Sequence, residues 1–207
     1  MHPGILSKDM SMPFFSVVIP AYNAESFIVE ALDSVGSQDW PDFEIVVVDD
    51  GSRDRTSQRI IEWAKAHPDI RLRLCHQENK GIGGARNAGI LSAAGTFVAF
   101  LDADDRWDKQ KLSTIKRFLV EHPDVDFVCH DERLIEGGTF TRVNTYGPYK
   151  TFEDLLFHGD CISTSATVVR RNKLLEGGLF SENLAYNGVE DYELWLRLSK
   201  ICRIEYL

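Results

Sequence analysis

Long apolar runs are missing from this 207-residue sequence. No stretch reaches the roughly 18 uninterrupted apolar residues of a membrane-crossing helix, so the reading expects no membrane span and leaves only peripheral association with a membrane open. Cysteine is scarce as well. Cys75, Cys129, Cys161 and Cys202 lie far apart and form neither a CxxC pair nor a disulfide-dense framework, so they read as reduced core thiols. With no apolar export signal between Met1 and Pro13, the expected location is cytoplasmic, up to the inner face of the membrane. Basic charge is also short: Lys plus Arg total 23 against 32 Asp plus Glu, a formal net charge of −9. That balance excludes nucleic acid as a default partner, because phosphate backbones are repelled on average. A small phosphorylated substrate remains compatible if a divalent cation bridges the like charges. The six histidines form no HExxH pair and no GxSxG elbow occurs, which removes support for zinc-enzyme and hydrolase readings.

What is present is a folded composition, 43% hydrophobic and 27% charged, of a length suited to one domain. Residues 1–13 read as a flexible leader and 14–207 as the domain. Phe14–Ala21 and Phe43–Val48 are short β-branched runs that suit buried strands. Between them Phe27, Ile28, Ala31, Leu32 and Val35 repeat with helical period, and Thr56–Ala66 does the same after the second strand. Arg71–His76, Thr96–Leu101 and Val125–Cys129 predict further strands, and Gly83–Ala94 and Asp108–Glu121 further helices. This alternation predicts an α/β fold with a mostly parallel central sheet and helices on both faces. Beyond Asp131 an irregular hairpin is expected, then a strand over Ser165–Val169, a helix carrying Leu194, Trp195 and Leu198, and a last strand near Ile201.

In such a sheet ligands bind beyond the carboxyl ends of the strands. Those ends are acidic here. Asp102, Asp104 and Asp105 place three carboxylates in four residues, and their mutual repulsion suits a hard cation, Mn²⁺ or Mg²⁺. The competing reading makes Asp104 or Asp105 a helix cap and the others solvated turn residues. Asp49 and Asp50 fit either nucleoside hydrogen bonding or a D-G turn. Gly81–Asn87 departs from a dinucleotide fingerprint, having Arg86 where a small residue belongs and following the third strand, so a nicotinamide cofactor is rejected. Its glycines fit a phosphate approach at a helix start, with Arg86 as donor, or a structural helix start. Asp191 falls in the first turn of the late helix, as a general base or as a carboxylate complementing the helix dipole.

Taken in order, SVVIPAYNAESFIVEALDSVGSQ, FEIVVVDDGSRDRT, ENKGIGGARNAG, GTFVAFLDADDRW and GVEDYELWLRL, spanning Ser16 to Leu198, resemble family 2 of the inverting nucleotide-sugar glycosyltransferases. The resemblance implies a single nucleotide-binding domain of the glycosyltransferase A type, with residues of about 14–105 binding the nucleotide sugar and about 106–207 the acceptor. It implies that Pro20, Ala21 and Tyr22 line the base pocket, with Asp50, and less directly Asp49, binding the nucleoside. Arg86 is implied near the diphosphate, Asp102 at the ribose and metal-bound water, and Asp104 as metal ligand, with Asp105 an alternative register. Asp191 matches the catalytic base, with Glu190 and Trp195 at the acceptor end. The implied activity is metal-dependent transfer, most readily from a UDP-sugar, to a carbohydrate or lipid-linked acceptor in polysaccharide or glycoconjugate synthesis. Family members usually continue past the last strand through a basic or histidine residue that closes over the diphosphate. Its absence before Leu207 implies a truncated chain or a minimal member, and keeps a catalytically silent nucleotide-sugar-binding module as the alternative.

Overall fold

The computed structural model describes residues 12–136, 138–159, 162–186 and 188–207. The leader up to residue 11 and Cys161 lie outside them. β1 (Phe15–Ala21), β2 (Phe43–Asp49), β3 (Leu72–His76) and β4 (Phe97–Phe100) run parallel, with α1 (Ile28–Gly36), α2 (Thr56–Ala66) and α3 (Gly81–Ser92) as crossovers. After β4 come α4 (Lys111–Glu121), β5 (Phe127–Cys129), the antiparallel hairpin β6 (Glu132–Glu136) and β7 (Thr139–Asn144), and α5 (Phe152–His158). The chain continues with β8 (Thr167–Arg170), α6 (Arg171–Glu176), α7 (Glu190–Leu198) and β9 (Ile204–Tyr206).

The main sheet has the order β3-β2-β1-β4-β8-β5-β9. β8 runs antiparallel to both its neighbours, and the other pairs are parallel. Every residue of β1 and β2 is buried. Their side chains alternate between two cores, as strand pleating requires. Val17, Ile19 and Ile45 pack with Ile28, Leu32, Trp63 and Ile115 on one face, whereas Val18 and Val46 pack with Ile90, Leu174, Leu194 and Trp195 on the other. The predicted double-sided α/β sheet is therefore what forms.

Several boundaries differ from the periodicity. α4 starts at Lys111 rather than Asp108, because Asp108 spends its side chain on the Gln110 N–H and its carbonyl on the Lys111 N–H in a turn before the helix. Neither Asp104 nor Asp105 therefore caps a helix. α3 starts two residues earlier than expected, and its glycines serve packing. A Cβ on Gly83 would stand 2.7 Å from the Ser181 carbonyl, and one on Gly89 would collide with Val18. Asn87 completes this contact, donating to Phe180 O and accepting from Phe180 N at 2.9 Å each.

The crossover from β1 goes toward β2, while the chain after β3 returns across the sheet to place β4 on the other side of β1. This reversal between β1 and β4 opens a crevice at their carboxyl ends, the usual ligand position in open α/β sheets.

Candidate active site

A cavity of about 630 Å³ fills that crevice. Pro20, Ala21 and Tyr22 line it from the end of β1, Asp50 from β2, Gly81 and Ile82 from the start of α3, and Asp102 and Asp104 from the turn after β4. Tyr22 is half exposed where it lines the cavity. The size suits a drug-sized ligand held by a few directed polar groups.

The acidic pair after β2 is divided by the strand end. Asp50 Oδ1 accepts from Gln77 Nε2 at 2.7 Å and from the Lys80 main-chain N–H at 2.9 Å, next to the start of α3. Its Oδ2 has no partner among the described residues, and the residue faces the cavity. Asp49 does not line the cavity. It accepts from the Ser52 N–H at 2.9 Å and from the Ser57 hydroxyl, and His76 Nδ1 lies 3.5 Å away. Burial opposes its ionisation, but the bonds from Ser52 and Ser57, with His76 nearby, outweigh that and hold its carboxyl below the ordinary value. The nucleoside contact expected of Asp49 meets a carboxylate already engaged by Ser52 and Ser57 in the turn after β2, outside the cavity lining.

After β4 the three carboxylates part company. Asp102 receives both of its side-chain bonds from Arg86 Nη2, at 2.9 and 3.1 Å. Asp104 is exposed, lines the cavity, and has no hydrogen-bond or ion-pair partner among the described residues. Asp105 has its carboxyl raised by desolvation against the turn and by the negative charges of Asp102, Glu132 and Asp104, with a Ser165 hydrogen bond opposing. Among the described residues no three His, Cys, Asp or Glu side chains converge into a metal cage. A divalent ion in a phosphate-binding site does not need one, since one or two carboxylates plus substrate oxygens suffice. A free carboxylate at Asp104 beside like charges fits such an ion.

Arg86 is placed differently from the expectation. It is 2% exposed and is not among the residues that line the cavity, although its guanidinium bonds Asp102, which is. Nη1 donates to Glu190 Oε1 at 2.9 Å while Nη2 holds Asp102, and its Cζ lies 5.3 Å from the Phe180 ring centroid. Nε is buried without a partner. Two carboxylates thus occupy donors of both terminal nitrogens, Asp102 on the cavity side and Glu190 behind it, while the Nε–H stays unused. Glu190, expected at the acceptor end, is buried as the other half of this bridge and also accepts from the Gly188 N–H at 2.7 Å. Trp195, expected beside it, is fully buried against Phe127 and Phe180, and its indole N–H donates to Ile162 O at 3.1 Å. It is a core residue.

Asp191 sits in the first turn of α7. Thr164 Oγ1 donates to its Oδ2 at 2.9 Å, and the Tyr192 N–H to its Oδ1 at 2.8 Å.

Several polar residues around this turn carried no sequence-based role. Ser165 Oγ accepts from the Asp102 N–H at 3.0 Å, and Ser165 O accepts from Lys111 Nζ at 2.7 Å and Trp107 Nε1 at 3.2 Å. Burial pulls the Lys111 amine down to about 7, against the opposing charges of Glu132 and Asp105. Lys111 follows the apolar stripe of α4, one turn before Ile115, which was the signal for its burial. A second cavity of about 700 Å³ shares Asp104 with the crevice and is lined by Trp107, Lys111, His130, Glu132 and Ser165.

A family model described as Glycosyl transferase family 2 matches residues 16–178. The chain is 36% identical over 206 residues to the amylovoran biosynthesis glycosyltransferase AmsB of Erwinia amylovora, covering 94% of this chain and 65% of that protein. It is 32% identical over 186 residues to the Escherichia coli UDP-Glc:alpha-D-GlcNAc-diphosphoundecaprenol beta-1,3-glucosyltransferase WfgD, covering 89% of this chain and 69% of that one. The crystal structure of S. aureus TarS 1-349 in complex with UDP superposes with a TM-score of 0.77 at 29% identity, over 93% of this chain and 57% of that chain. The chain thus spans only part of each of these proteins.

Proposed function

The chain belongs to glycosyl transferase family 2 and has the glycosyltransferase A fold, and from that premise we propose that it moves a sugar from a UDP-sugar to an acceptor hydroxyl with inversion. The observation that carries this reading is the cavity at the β1–β4 reversal, with Asp50 and the unpartnered Asp104 on its wall. The UDP bound by TarS and the donor in the WfgD name support uridine diphosphate as the carrier. The WfgD name also supports a lipid-linked sugar as acceptor class, with polysaccharide synthesis as the setting. Among the described residues no helix is long and apolar enough to cross a membrane.

In this reading Tyr22 packs against the base and Asp50 Oδ2 accepts a hydrogen bond from the nucleoside. Asp104, with Asp102 beside it, would hold Mn²⁺ or Mg²⁺. When bound, that ion supplies electrostatic stabilisation of the departing diphosphate. Arg86 holds the Asp102 carboxylate in place and ties it through Glu190 to the helix that carries Asp191. Asp191 takes the proton of the acceptor hydroxyl as its oxygen bonds to the anomeric carbon and the bond from that carbon to the diphosphate breaks. A single displacement of this kind inverts the centre, through an oxocarbenium-like transition state.

The test is UDP-sugar turnover by Asp191→Asn. General-base loss should lower turnover by about 10²–10⁴-fold, with UDP affinity and melting temperature unchanged. Turnover at the wild-type rate would make Asp191 a first-turn structural carboxylate.

A further inference from the structure

Asp191 can act as a base only if its carboxylate is held in one orientation, and α7 supplies one bond toward this, from the Tyr192 N–H to Oδ1, leaving Oδ2 to a partner outside the helix. Among the described residues Thr164 is the one side chain that bonds it, at 2.9 Å. Thr164 is 3% exposed and belongs to a short 3₁₀ turn, Thr164–Ala166, that leads directly into β8. That turn is over-determined. Thr167 Oγ1 donates to Thr164 O at 2.8 Å, and the Ala166 N–H to Ser163 O at 3.1 Å. Lys111 and Trp107 both donate to Ser165 O from the α4 side, and Ser165 Oγ takes the Asp102 N–H. One dipeptide therefore touches the main chain of the carboxylate turn with one residue and the carboxylate of Asp191 with the next.

We propose that Thr164 is the positioning residue of the base, its hydroxyl holding Asp191 in register with the Asp102–Asp105 turn that Ser165 anchors. The proposal rests on the reading of Asp191 as the base. The Arg86 bridge from Asp102 to Glu190 joins the same two elements but stops one residue short of Asp191, so it sets the position of the helix start and leaves Oδ2 of the carboxylate to Thr164. A hydroxyl in a buried turn is a good device for this, since it donates one directed bond without adding a competing charge.

The experiment measures UDP release from UDP-glucose in Mn²⁺, with water as acceptor, alongside UDP affinity by calorimetry. Thr164→Val keeps the shape and removes the donor. Its kcat should fall by roughly 10²-fold, the scale of an ångström of misplacement, with the KM for UDP-glucose and the UDP affinity unchanged. Thr164→Ser, which keeps the hydroxyl, should restore kcat. In an Asp191→Asn background Thr164→Val should cost nothing further, because the group it positions is already gone. If Thr164→Val is not folded by circular dichroism, Thr164→Ala carries the same comparison. A wild-type kcat for Thr164→Val, or a loss of equal size with and without Asp191, overturns the positioning role. If Asp191→Asn alone turns over normally, the base assignment fails first and takes the positioning role with it.

Discussion

After β2, Asp49 accepts from Ser52 and Ser57 on both of its oxygens, and Asp50 accepts from Gln77 and Lys80 on Oδ1, so of the four oxygens Asp50 Oδ2 is left for a ligand. After β4, Asp102 is filled by Arg86, but Asp104, two residues on, receives nothing among the described residues. Both ends read alike along the chain, as apolar strands running into aspartates. The difference teaches that acidity at a strand end does not by itself make a ligand site. A carboxylate already satisfied by its own loop costs too much to withdraw, whereas one left exposed among like charges is more stable with a cation than without it.

Arg86→Met attacks the contrast at its firmest point. It strands Asp102 and the buried Glu190 without their shared cation, and removal of one partner from a buried ion pair costs about 3–5 kcal/mol. Urea denaturation should show a loss of that order. A loss near zero would mean that Asp102 is not locked and that the two strand ends differ less than the structure indicates.

Asp49→Ala probes the saturated end. It leaves the Ser52 N–H and the Ser57 hydroxyl without their acceptor, which should cost about 1–3 kcal/mol and leave the UDP affinity of the folded protein unchanged. Weakened UDP binding at constant stability would return Asp49 to the nucleoside site.

A smaller effect is expected beneath the β4 turn, at Lys111. Its folded-state value of about 7 lies below the ordinary 10.5, so between these values the unfolded chain holds the proton that the folded protein has released. Stability should therefore rise with pH across that window. Thermal melts at pH 7 and pH 9 should show a smaller gain for Lys111→Met than for wild type. Parallel curves would show that the amine is not desolvated.

Much of this was legible in the chain. The strand–helix alternation and the acidic strand ends needed only local pattern, whereas the lining role of Pro20–Tyr22 came from the family resemblance. Lys111 could also have been read, since it falls on the apolar stripe of its own helix. The burial of Trp195 was likewise visible in the stripe it shares with Leu194 and Leu198, and its assignment to the acceptor end followed resemblance against that signal. α5 passed unnoticed although Thr151 and Asp154 form a reciprocal capping box at its start. The inward turn of Arg86 is a different matter: its partner Glu190 lies 104 residues away, and no local period encodes such a pairing. The insertion of antiparallel β8 between β4 and β5 is non-local in the same way, yet it carries the Thr164–Ser165 turn into the site.

The most direct test of the central contrast is calorimetric titration of UDP into Asp50→Asn and Asp104→Asn, each in Mn²⁺ and in chelator. The account predicts that Asp104→Asn abolishes the gain in affinity that Mn²⁺ gives the wild type and leaves binding in chelator unchanged, whereas Asp50→Asn weakens binding in both conditions and keeps the Mn²⁺ gain. An undiminished Mn²⁺ gain in Asp104→Asn, or a loss confined to Mn²⁺ in Asp50→Asn, would contradict it.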